Sequence, residues 1–440
     1  MTAEIVIMNR EAAAVAADSA VSLMGGSTDQ PQKIFTSANK IFELSRGHAV
    51  CIMIYNNATF MSIPWETIIS IYRKDLGTQI FATLDEYADH LLEFLRSRED
   101  LIPPYVEEAY FINAVNGFYV FIRYIIQQRT TEFLKENGSV SEEEVSGIIM
   151  DTVGQVWEKL HNAEFSPSMD ETYYNELLDY YGEQILKSAK TIFENLPATD
   201  EVLGRLEESA VYFFTKTLPP LDPLHKDYSG VVVIGFGESE ILPSAKSFLI
   251  EQKIRGRLKY MPGEEQRITF ENGALIIPFA QREMVDMFMS GMEPRFEEAL
   301  LASLSTTFHE FPAAIVDGID KLEEAEKTEL KGKFSSVSDD LMTQLRGQLD
   351  QYRIAHFTPI VNVVAALPKT ELASLAESMV NLTSLKRRVS LEAETVGGPA
   401  DVAIISKADG FVWVRKKRYF APGSNPIGPG VAGGGAGNGE

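Results

Sequence analysis

A threonine directly follows the initiator methionine. Methionine is cleaved efficiently ahead of a small second residue, so Thr2 is expected to become the mature N-terminus, with a free α-amine and a hydroxyl on one residue. An α-amine has a reference pKa of about 7.7–8.0, near working pH, and can act as general base for the hydroxyl beside it. Such a nucleophile needs a lysine whose charge tunes it and a carboxylate that holds the lysine in place. Asp18, in Val15-Ala16-Ala17-Asp18-Ser19, and Lys40, in Asn39-Lys40-Ile41-Phe42-Glu43-Leu44, are the candidates. Ser19 is an alternate hydroxyl in the same run, and Lys33, in Gln32-Lys33-Ile34-Phe35, is the alternate lysine. These residue types point to acyl transfer through a threonine ester.

For these groups to converge, the elements that carry them must be neighbouring strands. Residues 4–8 and 12–17 read as a hairpin turning at Asn9-Arg10-Glu11, and Asp18 ends its second strand. Gly25-Gly26-Ser27 and Asp29-Gln30-Pro31 read as a loop. Two further strands are expected at 40–44 and 48–55, joined at Ser45-Arg46-Gly47, with the second buried. From about Trp65 to Pro220 apolar residues recur at three- and four-residue spacing, which predicts helices over 85–96, 107–137, 141–161, 170–196 and 200–218. Strand character returns at 230–236, 248–254 and 274–279. Helices are predicted again over 281–290, 294–309 and most of 312–388, followed by a hairpin of 401–406 and 411–414. The order predicts an α/β protein, two stacked antiparallel sheets flanked by helices, with the helical block inserted between sheet segments. Its parts are a first piece of the core (1–64), a helical insertion (65–226), a second piece of the core (227–310), a helical segment (311–388) and a closing hairpin (389–420). The last part, 421–440, holds eight Gly and three Pro and is predicted to be a disordered tail.

Thr2 with a strand behind it, the Ala-Ala-Asp-Ser run, and Asn-Lys-Ile-Phe-Glu-Leu ahead of a buried strand resemble proteasome β-type subunits and the related bacterial two-tier protease, which are N-terminal-nucleophile (Ntn) hydrolases. Tyr228-Ser229-Gly230-Val231-Val232-Val233-Ile234-Gly235-Phe236 is similar to the family's fourth-strand region. Gly397-Gly398-Pro399-Ala400-Asp401-Val402, running on to Lys407-Ala408-Asp409-Gly410-Phe411-Val412, is similar to its closing hairpin. The resemblance implies a four-layer αββα sandwich and a threonine-type peptidase. In it Thr2 is nucleophile and base, Asp18 orients the lysine, and Lys40 tunes the nucleophile. The family's oxyanion hole is a main-chain N–H at the end of the buried strand, which falls at Ile54 or Tyr55. Lys33 fits the family's spacing from Thr2 better by count, and Lys40 fits its strand context. The family's second aspartate and its neighbouring serine have no clean match; Glu392 or Glu394, with Thr395, stand nearest. Relatives enclose the site in rings, so the resemblance implies a homo-oligomer acting on peptide or protein substrates. The altered supporting residues leave a second reading, a proteasome-like scaffold or binding subunit without catalysis.

Composition bounds the partners. The 440 residues include 40 Lys or Arg and 63 Asp or Glu, a formal charge of −23. That balance disfavours the phosphate-neutralising mode of nucleic-acid binding and an anionic membrane surface. A single cysteine, Cys51, excludes an internal disulfide framework and a cysteine zinc cluster, and in its apolar strand it reads as an inert core thiol. The six histidines are scattered without metal spacing, so neither a metal nor a cofactor is expected. The N-terminus lacks the basic and apolar regions of a secretory signal, and the most membrane-like stretch, 118–126, is interrupted by Arg123. A cytoplasmic location is expected. Arg415-Lys416-Lys417-Arg418 reads as a solvated strand end or as a contact for an acidic neighbouring subunit.

Overall fold

In the computed structural model, which describes residues 3–24, 31–35, 37–44, 47–219, 222–224, 228–390 and 397–417, the chain begins with two strands buried along their whole length. β1 (Ala3–Asn9) and β2 (Ala12–Ala17) form the expected hairpin. Asn9 makes its turn: the side-chain oxygen accepts from the Glu11 and Ala12 amides at 2.9 and 3.2 Å. β3 (Val21–Met24) and β4 (Pro31–Phe35), which were not expected, pair as a separate ribbon, and 25–30 of the expected loop between them lie outside the described residues. β5 (Ile41–Glu43) and β6 (Val50–Asn56) follow, then the two-residue strands β7 (Thr59–Phe60) and β8 (Ile63–Pro64).

Six helices come next: α1 (Trp65–Leu76), α2 (Leu84–Ser97), α3 (Pro104–Asn137), α4 (Glu142–His161), α5 (Glu171–Ile192) and α6 (Asp200–Thr215). They do not form one unit. Ile68, Tyr72, Leu91 and Phe94 of α1 and α2 pack on β6, β9 and β10, so these two helices belong with the sheet. The helices α3–α6 close a core of their own around Phe111, Tyr119, Tyr173, Leu206 and Phe214. The apolar stretch at 118–126 lies in α3, and Phe118, Tyr119, Ile122 and Ile126 are buried in that core. By length and composition α3 is apolar enough to cross a membrane, as is the later helix Pro294–Asp317.

The chain returns to strands with β9 (Ser229–Gly235), β10 (Ser244–Ile254), β11 (Arg257–Arg267) and β12 (Ala274–Ala280). Helices α7 (Glu283–Ser290), α8 (Pro294–Asp317), α9 (Glu324–Ala366) and α10 (Lys369–Val389) precede the closing hairpin of β13 (Asp401–Ser406) and β14 (Gly410–Arg415). The expected tail at 421–440 lies outside the described residues.

Two five-stranded antiparallel sheets result, in the orders β12-β1-β2-β13-β14 and β11-β10-β9-β6-β5. The protein is therefore mixed α/β, with a sheet assembled from both ends of the chain. Strand parity decides what each face meets. Val6, Met8, Ala13 and Val15 meet Met53, Val232 and Ile234 of the other sheet. Ala12, Ala14 and Ala16 face outward against Leu372, Ala373 and Ala376 of α10, and alanine is small enough to let that helix lie close. Because both faces are covered, β1 and β2 read as continuous apolar runs, and Glu4 is the exception within them.

Two glycines show where backbone freedom is needed. Gly256 (φ +74°) follows Arg255 (φ +44°) in the two-residue turn between β10 and β11, with open space around it. Gly235 (φ +139°) ends β9, where an added Cβ would stand 2.0 Å from the Ala49 carbonyl oxygen. Gly256→Ala is expected to cost about 1 kcal/mol and Gly235→Ala about 2–3 kcal/mol, because only the second adds a clash to the strained φ. Urea unfolding of the two variants measures the difference, and equal losses would show that the clash at Ala49 is not felt.

Candidate functional site

Asp18 stands just past β2, where its own N–H still donates to the Ala3 carbonyl at 3.0 Å. It is 1% exposed, yet its carboxylate accepts four hydrogen bonds. Oδ1 takes the Ala3 N–H at 3.0 Å and Lys40 Nζ at 2.5 Å, and Oδ2 takes the amides of Ala20 at 3.2 Å and Gly397 at 2.9 Å. A buried carboxylate is tolerated only when it is charge-paired and saturated with donors, and Asp18 is both. It thereby ties the first residue of β1, the lysine before β5 and the Gly-Gly segment before β13 to one point.

Lys40 is the lysine brought to Asp18. It immediately precedes β5 in the second sheet, so its ammonium reaches across the gap between sheets. Lys33 lies in β4, opposite Leu23, in the separate ribbon, and its side chain falls outside the described residues. Lys40 also contacts Glu4 Oε1 at 3.1 Å. Glu4 shares the strand face of Val6 and Met8, which turns it toward the second sheet beside the ammonium.

A second buried pair adjoins the first. Asp401 opens β13 opposite Ala17, and its carboxylate accepts the backbone N–H of Lys417 at 2.8 Å and the Lys417 ammonium. Burial pushes the Lys417 amine below its ordinary pKa, against the pull of Asp401, and the nearby Lys40 charge lowers it further. Within the basic run at 415–418, Arg415 and Lys416 are exposed, as expected of a solvated strand end, and Lys417 is not. Lys417 is buried on Asp401, Arg415 is paired with Glu377, and Arg418 lies outside the described residues. Among the described residues this junction brings together three buried carboxylates (Glu4, Asp18, Asp401) and two ammoniums (Lys40, Lys417).

Other expected site residues fall differently. Thr2, Glu392, Glu394 and Thr395 lie outside the described residues. Ser19 donates its hydroxyl hydrogen to the Pro399 carbonyl at 2.6 Å, which makes it a pin between β2 and the segment before β13. The Ile54 N–H donates to the Lys40 carbonyl at 2.8 Å, so β5–β6 pairing uses the amide expected to hold an oxyanion. Tyr55 pairs with Gly230, and its ring lies over that glycine and against Phe279 at 5.3 Å between centroids. Burial raises the Tyr55 phenol, with Tyr228 and Glu4 adding to the shift and Arg282 opposing it.

Glu4, Asp401 and Lys417 were not singled out as site residues from the sequence. Glu4 carried a signal, as the one charge in an apolar strand adjoining Thr2. Among the described residues no group of His, Cys, Asp and Glu is arranged to hold a metal ion. The Cys51 thiol is buried, which raises its pKa and makes it a poor nucleophile.

A cavity of about 860 Å³ lies elsewhere, in the seam between the α3–α6 unit and the β10–β11 turn. Its cations are engaged structurally. Lys253 contacts Glu107 at 3.6 Å and the Arg98 carbonyl at 3.2 Å, Arg257 donates to the Ser168 carbonyl at 2.8 Å, and Arg255 lies over the Tyr180 ring at 4.0 Å.

No protein-family model matches the chain, and no curated protein matches it.

Proposed function

We propose that the chain is a proteasome-like Ntn hydrolase, a cytoplasmic threonine peptidase that forms an acyl-enzyme on Thr2 after loss of Met1. On this reading the two packed sheets and their outer helices are the αββα sandwich of that family, with α3–α6 inserted into it. One observation carries the reading: Asp18 Oδ1 holds both the Ala3 N–H and the Lys40 ammonium. Carboxylate and ammonium are thereby fixed one residue from Thr2.

The chemistry follows from these groups. Thr2 Oγ attacks the substrate carbonyl while its proton passes to the Thr2 α-amine, with Lys40 favouring the developing alkoxide. The amine returns the proton to the leaving nitrogen as the C–N bond breaks, leaving an ester on Thr2. Water, deprotonated by the same amine, then hydrolyses the ester. No cofactor takes part, and the substrate is a peptide or protein enclosed by further copies of the chain.

Two observations favour the second reading, a scaffold or binding subunit of the same fold. The Ile54 amide is occupied by the Lys40 carbonyl, and Glu4 holds Lys40 from a second side. Intact-mass measurement, before and after treatment with a threonine-directed electrophile, separates the two. Loss of Met1 followed by a single stoichiometric adduct is expected for the peptidase. Retained Met1 leaves no threonine amine and favours the scaffold.

A further inference from the structure

Helices α8 and α9 form an antiparallel arm that has very little core of its own. Across 294–366 few residues are buried, among them Glu297, Val316, Ser338, Met342 and Val364. Large apolar side chains stay in solvent on both helices. On α8 these are Phe296 (59% exposed), Leu300 (36%), Phe311 (66%) and Ile315 (50%). At about 100° per residue they fall within roughly 100° of arc, beside the stripe that packs on α9. Along 331–354, the part of α9 that lies beside α8, the exposed stripe is Phe334, Val337, Leu341 and Tyr352, with the partly buried Leu345 and Leu349 along its edge. The same helical geometry, applied to two antiparallel helices, places both stripes on one side of the arm.

The spacing of each stripe is its own mirror image. On α8, Phe296 and Ile315 are equidistant from a point between residues 305 and 306, and so are Leu300 and Phe311. On α9, Phe334 and Tyr352 are equidistant from residue 343, as are Leu341 and Leu345, and Val337 and Leu349. The two centres stand side by side. The arm's register is fixed by His309 beside Asp339 at 3.3 Å, Lys331 beside Asp317 at 2.6 Å and Ser338 Oγ on the Phe308 carbonyl at 2.6 Å. That register sets residues 305–306 against 342–343.

We infer that this face pairs with the same face of a second copy of the chain, around a two-fold axis that crosses the arm at residues 305–306 and 343. A self-complementary surface is what an isologous two-fold contact requires. The axis would lay α8 antiparallel on its partner α8 and α9 antiparallel on its partner α9, so that each stripe meets itself over about 28 Å. Eight side chains, each about half exposed, amount to roughly 800 Å² per copy, the size of a standard stable interface. A lipid surface is the competing occupant, since α8 is apolar enough to enter one. The arm nevertheless carries twelve acidic and seven basic residues over 294–366, the reverse of the basic face that holds a helix at a membrane. The inference is independent of any chemistry at Thr2.

The test uses the full chain. By light scattering, Val337→Glu with Leu341→Glu is expected to halve the mass of the assembly with unchanged circular dichroism, because both residues lie on the outer face of the arm. Gln344→Cys, next to the axis, is expected to give a covalent dimer with a short bismaleimide, against a background in which Cys51 is buried. Thr328→Cys, about 45 Å from its symmetry mate, is expected to give none. A monomeric wild type, an assembly unchanged by the double substitution, or a monomer that floats with phosphatidylcholine vesicles would each overturn the pairing.

Discussion

Asp18→Ala is expected to destabilise the protein by about 3–5 kcal/mol, read as a lower urea midpoint at unchanged slope. The carboxylate is buried and serves Lys40 together with the amides of Ala3, Ala20 and Gly397. Among the described residues its removal leaves Lys40 with Glu4, and three buried N–H groups to be satisfied otherwise, each worth about 1–3 kcal/mol if orphaned. These costs are not additive, because water and backbone relaxation recover part of them. Asp18→Asn keeps the volume and one acceptor oxygen, so an intermediate loss is expected. Ser19→Ala, which forfeits one hydrogen bond to Pro399, is expected to cost about 1 kcal/mol. An Asp18→Ala protein within 1 kcal/mol of Ser19→Ala would mean that the four-way contact does not organise the junction of β1, β5 and β13.

Much of this junction was legible in the sequence. The two short apolar runs and the turn at Asn9-Arg10-Glu11 predict the β1–β2 hairpin, and the position of Asp18 at its end follows from that register. The choice of Lys40 over Lys33 followed from strand context, since Lys40 opens an apolar strand that must pack on the buried run 50–56. The partners Asp401 and Lys417 were not legible. They belong to a hairpin whose turn was read correctly, but the pairing shifts by one residue between Val402 and Ala403. Such a bulge changes which side chain a strand presents to which face, and nothing local announces it. β11 escaped notice because it is an edge strand whose second half, Gly263–Arg267, is polar and largely solvated, so it shows no apolar alternation. The α1–α2 pair was assigned to the insertion because periodicity marks a helix without telling which core its apolar face joins. The arm shows the same limit from the other side: its helices are readable, and the partner of their outer face is not.

If the proposed threonine peptidase reading holds, Thr2→Ala is expected to remove electrophile labelling altogether and to lower peptidase activity at least about 10³-fold, with stability within about 0.5 kcal/mol of wild type. Alanine is also small, so Met1 is still removed and the α-amine is kept. The substitution therefore isolates the hydroxyl. Thr2→Ser retains both hydroxyl and amine and is expected to retain labelling, at a lower rate, because the β-methyl that restricts the side chain's rotation is gone. Stability supplies the internal control, since a drop with Thr2→Ala would trace lost activity to the strand rather than to the nucleophile. The four-way contact at Asp18 argues against such a drop, because it anchors β1 through the Ala3 N–H, which the substitution leaves in place. Labelling of Thr2→Ala at the wild-type rate would place the reactive group elsewhere. With Cys51 buried in β6, that result would end the threonine mechanism and leave the fold as a scaffold.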